Sequence, residues 1–215
     1  MRLALLLVGS YLLGSIPFGV LVGRTRGVDV RKYGSGNIGF SNVLRVLGWK
    51  PAAVVLVADA LKGLGPVVAG KVLLRRWGVV QPDLWLLAVA LAPTLGHTFS
   101  IFLRFRGGRA VATTAGALLG MAWPAALVAL GVWLAVVVVT RYISVGSIAA
   151  AIVVPVYLAF TGVRWEWLAF WSAVAALVIL RHIPNIGRLR AGSESKIGQQ
   201  VDLQGEEPRD GGLLR

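Results

Sequence analysis

The chain contains no cysteine and only two histidines among its 215 residues. The first absence excludes disulfides, thiolate metal sites and a thiol nucleophile, and it leaves the redox compartment unread. The second argues against a zinc centre, so no metal and no cofactor is expected. Charge is scarce as well: charged residues make up 14% of the chain, nine acidic against 22 basic, for a formal net charge of +13. In a soluble protein such a surplus would suggest nucleic acid. Here the basic residues gather between long apolar runs instead of forming a stripe, which points to membrane lipids or phosphorylated substrates and away from nucleic acid. What the chain has in abundance is hydrophobic surface, 57% of its residues with a mean hydropathy of +0.76, the balance of a membrane protein.

The first apolar run, "LALLLVGSYLLGSIPFGVLVG", matches the roughly 20 residues a spanning helix needs. A cleaved signal peptide would have a shorter apolar core and an A-x-A site, and basic residues would precede it, whereas Arg24, Arg26, Arg31 and Lys32 follow. Further apolar stretches lie at 51–74, 84–103, 110–140, 143–161 and 165–183. Lys and Arg concentrate at 24–50, in the loop "RFRGGR" at 104–109, and from Arg181 onward, and the positive-inside rule places all three in the cytoplasm. Points on one side of a membrane are separated by an even number of crossings, so the stretch 110–140 must be a hairpin, with Gly120 and Pro124 in "GMAWPAA" as its turn. The expectation is an all-α, multi-pass bundle of seven transmembrane helices, N-terminus outside and C-terminus inside. Arg75 and Arg76, in an outer connection, run against the charge rule. Residues 1–198 form the membrane domain, and 199–215 a polar, Gly-rich cytoplasmic tail expected to be disordered.

"GSGNIG", residues 34–39, spells a dinucleotide-binding fingerprint, with Asp59 at the ribose-gripping distance. That reading needs a strand before it and a βαβ unit around it, and neither fits between two membrane helices. What remains is local: Gly34, Gly36 and Gly39 can turn successive N–H groups into an anion-binding nest or simply turn the chain. "FSNVLRVLG" reads as a short amphipathic helix capped by Ser41 or Asn42, with Arg45 on its first turn and a positive dipole end beside the nest. In "RFRGGRAVATT", Gly107 and Gly108 lie between Arg106 and Arg109 at the start of another helix. This is either a second anion site or ordinary positive-inside anchoring. "RHIPNIGRLRAGSESKIG" gathers His182, Asn185, Arg188, Glu194 and Lys196. His182 and Asn185 share a face if the helix continues past Pro184. Asp59 and Lys62 form an i,i+3 pair inside an apolar stretch, which is either a structural ion pair or a substrate contact. His97 is grouped with them as a supporting residue.

Taken in order, "GSGNIGFSNVLR", "ADALKG", "GHTFSIFLRFRGGRAVAT" and "RHIPNIGRLRAGSESKIG" resemble the bacterial acyl-phosphate:glycerol-3-phosphate acyltransferase family over nearly the whole chain. The resemblance implies an enzyme of the bacterial inner membrane with its site loops facing the cytoplasm. It would move a fatty acyl group from acyl phosphate to the 1-position of sn-glycerol 3-phosphate, giving lysophosphatidic acid at the start of phospholipid synthesis. It also implies that Ser35, Asn37, Arg45, His182 and Asn185 are catalytic and that Gly34, Gly36, Gly39, Asn42, Arg106, Gly107, Gly108, Arg109, Arg188, Glu194 and Lys196 bind substrate. The chain departs from the family pattern at four kinds of position. Phe40 stands where a small residue is usual, Ser100 replaces a frequent proline, Arg106 and Arg109 replace lysines, and Ala110 replaces a glycine.

An acyl phosphate is a mixed anhydride with a good leaving group, so no acyl-enzyme on Ser or Cys is needed. The reaction requires two phosphates held together, a hydroxyl aimed at the carbonyl, and donors for the oxyanion. His182 or the acceptor's own phosphate could take the hydroxyl proton. "HTFSIF" and "HIPNIG" lack the H-x4-D signature of soluble-donor acyltransferases, and no D-x-x-D supports a metal-dependent phosphatidyltransferase. The alternative class is a transporter of a phosphorylated metabolite, which would place its cations near the midplane and show repeated halves.

Overall fold

The structure, a computed structural model, describes residues 1–201. Of the tail expected over 199–215, the part from 202 onward lies outside the described residues. Ten α-helices account for most of the described chain, and no strand occurs among the described residues, so the dinucleotide fingerprint has no sheet to open from.

The first apolar run is not one helix. It divides at Ile16–Pro17 into α1 (Arg2–Ser15) and α2 (Phe18–Arg24), bent by 40°. Proline removes an amide donor and crowds the preceding turn, so the break falls where Pro17 stands. The freed carbonyls find new donors: the Ser100 hydroxyl donates to Ser15 O at 2.6 Å, and the Lys62 ammonium to Ile16 O at 2.9 Å. Ser100 thus has a buried structural task where relatives of the pattern carry proline.

A loop leads from α2 to the amphipathic α3 (Phe40–Leu47), then directly into the long α4 (Trp49–Arg76). Val43 and Val46 of α3 pack with Val30 of the loop against Ala52 and Val55 of α4, which fixes the Gly-rich segment to the bundle. Next come α5 (Pro82–Thr98), the short α6 (Val111–Met121) and α7 (Trp123–Thr140). The break at Ala122, with Pro124 at the start of α7, falls within the segment "GMAWPAA" expected to turn. The chain closes with α8 (Ile143–Phe160), α9 (Trp165–Arg181) and α10 (Ile183–Arg190). The helix does not continue past Pro184: the chain bends by 50° at His182. Proline is tolerated in the first turn of a new helix, and here it opens α10.

Four helices are long and apolar enough to cross a membrane, six if each bent pair is one span. With 11 residues, α6 is about 16 Å long, roughly half a hydrocarbon core. The segments 34–45, 104–110 and 181–197 nevertheless meet at one end, so α6, α7, α8 and α9 carry the chain away and back twice. The core of the other half is built from Val67, Leu74, Leu86, Val89, Leu118, Trp171 and Val174.

Small residues set the helix spacing. A Cβ on Gly63 would run into the Thr113 backbone of α6, and one on Gly116 into the Ala60 backbone of α4. Close backbone approach supplies the packing that burial alone does not give in lipid. Leucine at Gly63 or Gly116 should therefore cost on the order of 1–3 kcal/mol by overpacking, read as a fall of several degrees in the thermal midpoint in detergent. Leucine at Gly65 or Gly131, where nothing lies within 4 Å, should leave the midpoint unchanged. Equal shifts in both pairs would refute this account of the α4–α6 contact.

Candidate functional site

A cavity of about 250 Å³ opens at the end of the bundle where the three loop segments meet. Asn37, Asp59, His97, Arg109, Ser144 and His182 line its polar end. Leu118, Ala126, Ala129, Trp133, Ala150, Val154, Trp171 and Val178 line the rest. The sequence reading had no signal for this cavity, because its wall is assembled from single residues of α6, α7, α8 and α9.

The Gly-rich loop is shaped by its glycines and by Asn42. Gly34 and Gly36 sit at φ 57° and 70°, where a side chain would be strained. Gly39 caps α3, and neither Ser41 nor Asn42 does. Asn42 lies inside the helix with both ends of its amide committed. Its Oδ1 accepts from the Ser35 backbone N–H at 2.8 Å and the Ser35 hydroxyl at 3.1 Å, and its Nδ2 donates to Val30 O at 2.8 Å. Asn42 is thus a brace for the loop and has no amide group left for a phosphate. Asn37 accepts from Gly39 N–H at 3.0 Å, leaving its amide nitrogen toward the cavity. Phe40 does not narrow the loop. It packs edge-on against Trp49, with ring centres 6.0 Å apart, and contributes to the cavity wall.

The second loop places its two arginines differently. Arg106 is exposed and outside the cavity, whereas Arg109 turns into it. The N–H groups of Gly107 and Gly108 are turned to the scaffold. Gly107 N–H donates to Thr98 O at 3.1 Å and Gly108 N–H to His97 O at 3.0 Å. A Cβ at either residue would collide with His97, so the glycines serve close approach to the end of α5. Val111 and Ala112, in the first turn of α6, line the cavity, and the N–H groups of a first turn have no partner within the helix.

The third segment is organised around Glu194. Its Oε1 accepts from Ser144 Oγ at 2.8 Å and Asn185 Nδ2 at 2.6 Å, and its Oε2 from Arg188 Nε at 2.7 Å. Burial alone would raise the Glu194 carboxyl, but these three hydrogen bonds and the Arg188 charge hold it below the ordinary glutamate value. His182 is buried, and its Nδ1 donates to Val178 O at 2.8 Å, which leaves Nε2 as an acceptor at the cavity. Lys196 is exposed over the Tyr142 ring and does not reach the cavity. Ile197 N–H bonds to Arg141 O and Val201 N–H to Arg45 O, so residues 197–201, including the first of the expected tail, tie α7 to α3.

Arg45, Arg109 and Arg188 lie close enough to perturb one another and Glu194. Burial, then the repulsion of Arg188, pushes Arg109 down to about 10, and burial also lowers Arg45. Three guanidinium groups thus face one carboxylate. Behind them, Asp59 and Lys62 form the expected buried ion pair at 2.8 Å, with His97 Nδ1 at 3.6 Å from the same carboxylate oxygen. Ser144 and Arg181 were missed. Ser144 stood in a run read as helix packing and Arg181 in a basic cluster read only as charge. No cluster of three metal-ligating side chains occurs among the described residues.

A family model described as glycerol-3-phosphate acyltransferase matches residues 4–192. A glycerol-3-phosphate acyltransferase of Desulforamulus reducens is 44% identical over 91% of this chain and 96% of its own, and glycerol-3-phosphate acyltransferase 2 of Moorella thermoacetica is 51% identical over 91% and 98%. Among solved structures, PlsY (YgiH), an integral membrane glycerol 3-phosphate acyltransferase, superposes in its glycerol 3-phosphate form with a TM-score of 0.85 at 36% identity, covering 92% of this chain and 96% of that one. Its lysophosphatidic acid form gives 0.82 at 36% identity, covering 93% and 97%.

The Glu194 geometry sets a pH dependence. A carboxyl held below its ordinary value of 4.5 contributes stability that is complete above that value and is lost as pH falls through the lower, folded value. The thermal midpoint in detergent should therefore drop as pH falls below about 4.5, and the drop should be smaller in Glu194→Gln, which starts less stable at neutral pH. Identical pH profiles for the two proteins would remove Glu194 from the centre of this network.

Proposed function

This chain belongs to the glycerol-3-phosphate acyltransferase family, and from that premise we propose that its acyl donor is an acyl phosphate and its acceptor atom the 1-hydroxyl of sn-glycerol 3-phosphate. It is a multi-pass membrane acyltransferase, and its activity belongs to phospholipid synthesis. Membership displaces the transporter reading.

The observation that carries the donor assignment is charge set against hydrophobicity. Arg45, Arg109 and Arg188 outnumber the one carboxylate among them, Glu194, and Arg109 brings this excess to a cavity whose deeper wall is apolar. Two phosphates carry the compensating charge, and the cavity takes an acyl chain. The solved relatives support this pairing, since one is the glycerol 3-phosphate form and the other the lysophosphatidic acid form. Ser35, Gly34 and Gly36 shape the loop beside Arg45. The first turn of α6, with Arg109 and Asn37, faces the donor carbonyl and stabilises the developing oxyanion. Asn185 and Glu194 hold Arg188 in place. His182 Nε2 accepts the hydrogen bond of the attacking hydroxyl. The oxygen–carbonyl bond forms, the tetrahedral intermediate collapses, and phosphate leaves with the donor's bridging oxygen. No step places a covalent intermediate on the protein.

The same reading orients the chain in the membrane. Seven crossings, with α6 as the short one, put the N-terminus outside and the C-terminus inside, and the three site segments face the cytoplasm of a bacterial inner membrane. Their Lys and Arg content and their meeting at one end support that placement.

Purified protein in detergent should form lysophosphatidic acid from labelled glycerol 3-phosphate with acyl phosphate and not with acyl-CoA. Product with acyl-CoA alone would overturn the donor assignment. His182→Gln keeps a hydrogen-bond acceptor but cannot carry the proton. A loss of about 10²-fold or more would assign the proton to His182, while activity within about tenfold of wild type would assign it to the acceptor phosphate, whose second pKa is near 6.

A further inference from the structure

Gly107 and Gly108 separate an exposed arginine from a half-buried one, and all four of their backbone polar groups are engaged. Their N–H groups bond to the last carbonyls of α5, and their two carbonyls both face one side chain. Arg181 donates through Nη2 to Gly107 O at 3.1 Å and through Nε to Gly108 O at 3.3 Å. The guanidinium also lies over the Phe99 ring, 6.0 Å from its centre. Two donors of a planar fork thus meet two successive carbonyls, a geometry a lysine ammonium does not reproduce.

The loop needs such a hold. Arg104, Phe105 and Ala110 have φ of 52°, 63° and 58°, left-handed backbone without glycine, and Ala110 directly follows Arg109. Strained turns persist where their surroundings over-determine them. Arg181 is also the residue before His182. One side chain therefore links the end of α9, which presents His182, to the loop that presents Arg109.

We infer that Arg181 is a positioning residue for the acyl transfer: by clasping Gly107 and Gly108 it sets Arg109 against His182. It lines no part of the cavity itself. The inference rests on the placement of Arg109 in the substrate site.

The test is a double-mutant cycle on kcat and KM for both substrates, using the full chain in detergent with Arg181→Gln, Arg109→Gln and the double variant. Arg181→Gln should lower kcat/KM by tenfold or more, up to the order of 10²-fold, as expected for a displaced catalytic group. It should change the same kinetic parameter as Arg109→Gln, and the double variant should be no worse than Arg109→Gln within about twofold. Arg181→Lys, which keeps the charge, should remain well below wild type and serves for the cycle if Arg181→Gln is recovered poorly. Full multiplication of the two losses would overturn the inference. So would a lowered thermal midpoint with unchanged kcat/KM, the signature of a merely structural clasp. Full activity in Arg109→Gln would overturn the placement of Arg109 itself, and the inference with it.

Discussion

The Lys62 ammonium is buried inside the bundle, 2.9 Å from the carbonyl oxygen of Ile16 and 2.8 Å from the Asp59 carboxylate. A charge in that position is costly unless it is paired and hydrogen-bonded, and here it satisfies two needs together. Pro17 breaks the first span and leaves Ile16 O outside the regular helical pattern, with the Phe18 N–H of the tight turn at 3.1 Å as its backbone donor. Lys62 adds a second donor, and Asp59 balances the charge. The same carboxylate faces His97, and Gly108 lies against the His97 ring so closely that even a methyl group would not fit. The kink in α1–α2 and the loop that presents Arg109 are therefore connected through three buried side chains of α4 and α5. Losing Asp59 strands the Lys62 cation and losing Lys62 strands the Asp59 carboxylate, which is the expensive case in a low-dielectric interior.

The site reverses that economy. Around Lys62 the charges cancel, whereas around Arg109 they do not. Arg45, Arg109 and Arg188 crowd together with Glu194 as the acidic member, and the crowding shows in the lowered value of Arg109. Such an excess is tolerable in a folded protein when a polyanionic ligand completes it. The apolar wall of α6, α7, α8 and α9 adds the other half of the specificity, because only an amphiphile satisfies both ends of the cavity. The proposed donor and product are such molecules, and the acceptor needs the polar end alone.

Much of this was legible in the sequence because the bilayer imposes strong rules. Apolar runs of spanning length and three clusters of basic residues pointed to the helices, the break at Ala122 and the meeting of the three loops. The Asp59–Lys62 pair was legible from its i,i+3 spacing. What stayed hidden depends on which way a polar group turns. Asn42, Gly107 and Gly108 belong to the pattern of the site, yet their hydrogen bonds face inward to the scaffold. Ser144 is one small residue among several in "SVGSIAAA", and nothing local distinguishes it from a packing residue until Glu194, 50 positions away, accepts its hydroxyl. The condition that the helix continue past Pro184 is not met, because Pro184 stands in the first turn of a new helix.

The arginines that replace lysines show how sequence departures acquire meaning from position. At 106 the side chain is exposed, so either cation would serve for charge at the membrane surface. At 109 the side chain is largely buried beside two other guanidinium groups, and its value falls from 12.5 to about 10. Arginine stays protonated at neutral pH after such a fall. A lysine starts from about 10.4, so the same surroundings would bring it much closer to neutrality and weaken its hold on a phosphate. Arg109 therefore stays a cation beside Arg45 and Arg188. In exchange its rigid fork must be aimed by the backbone, in a loop where Ala110 adopts the left-handed conformation that glycine would adopt without strain.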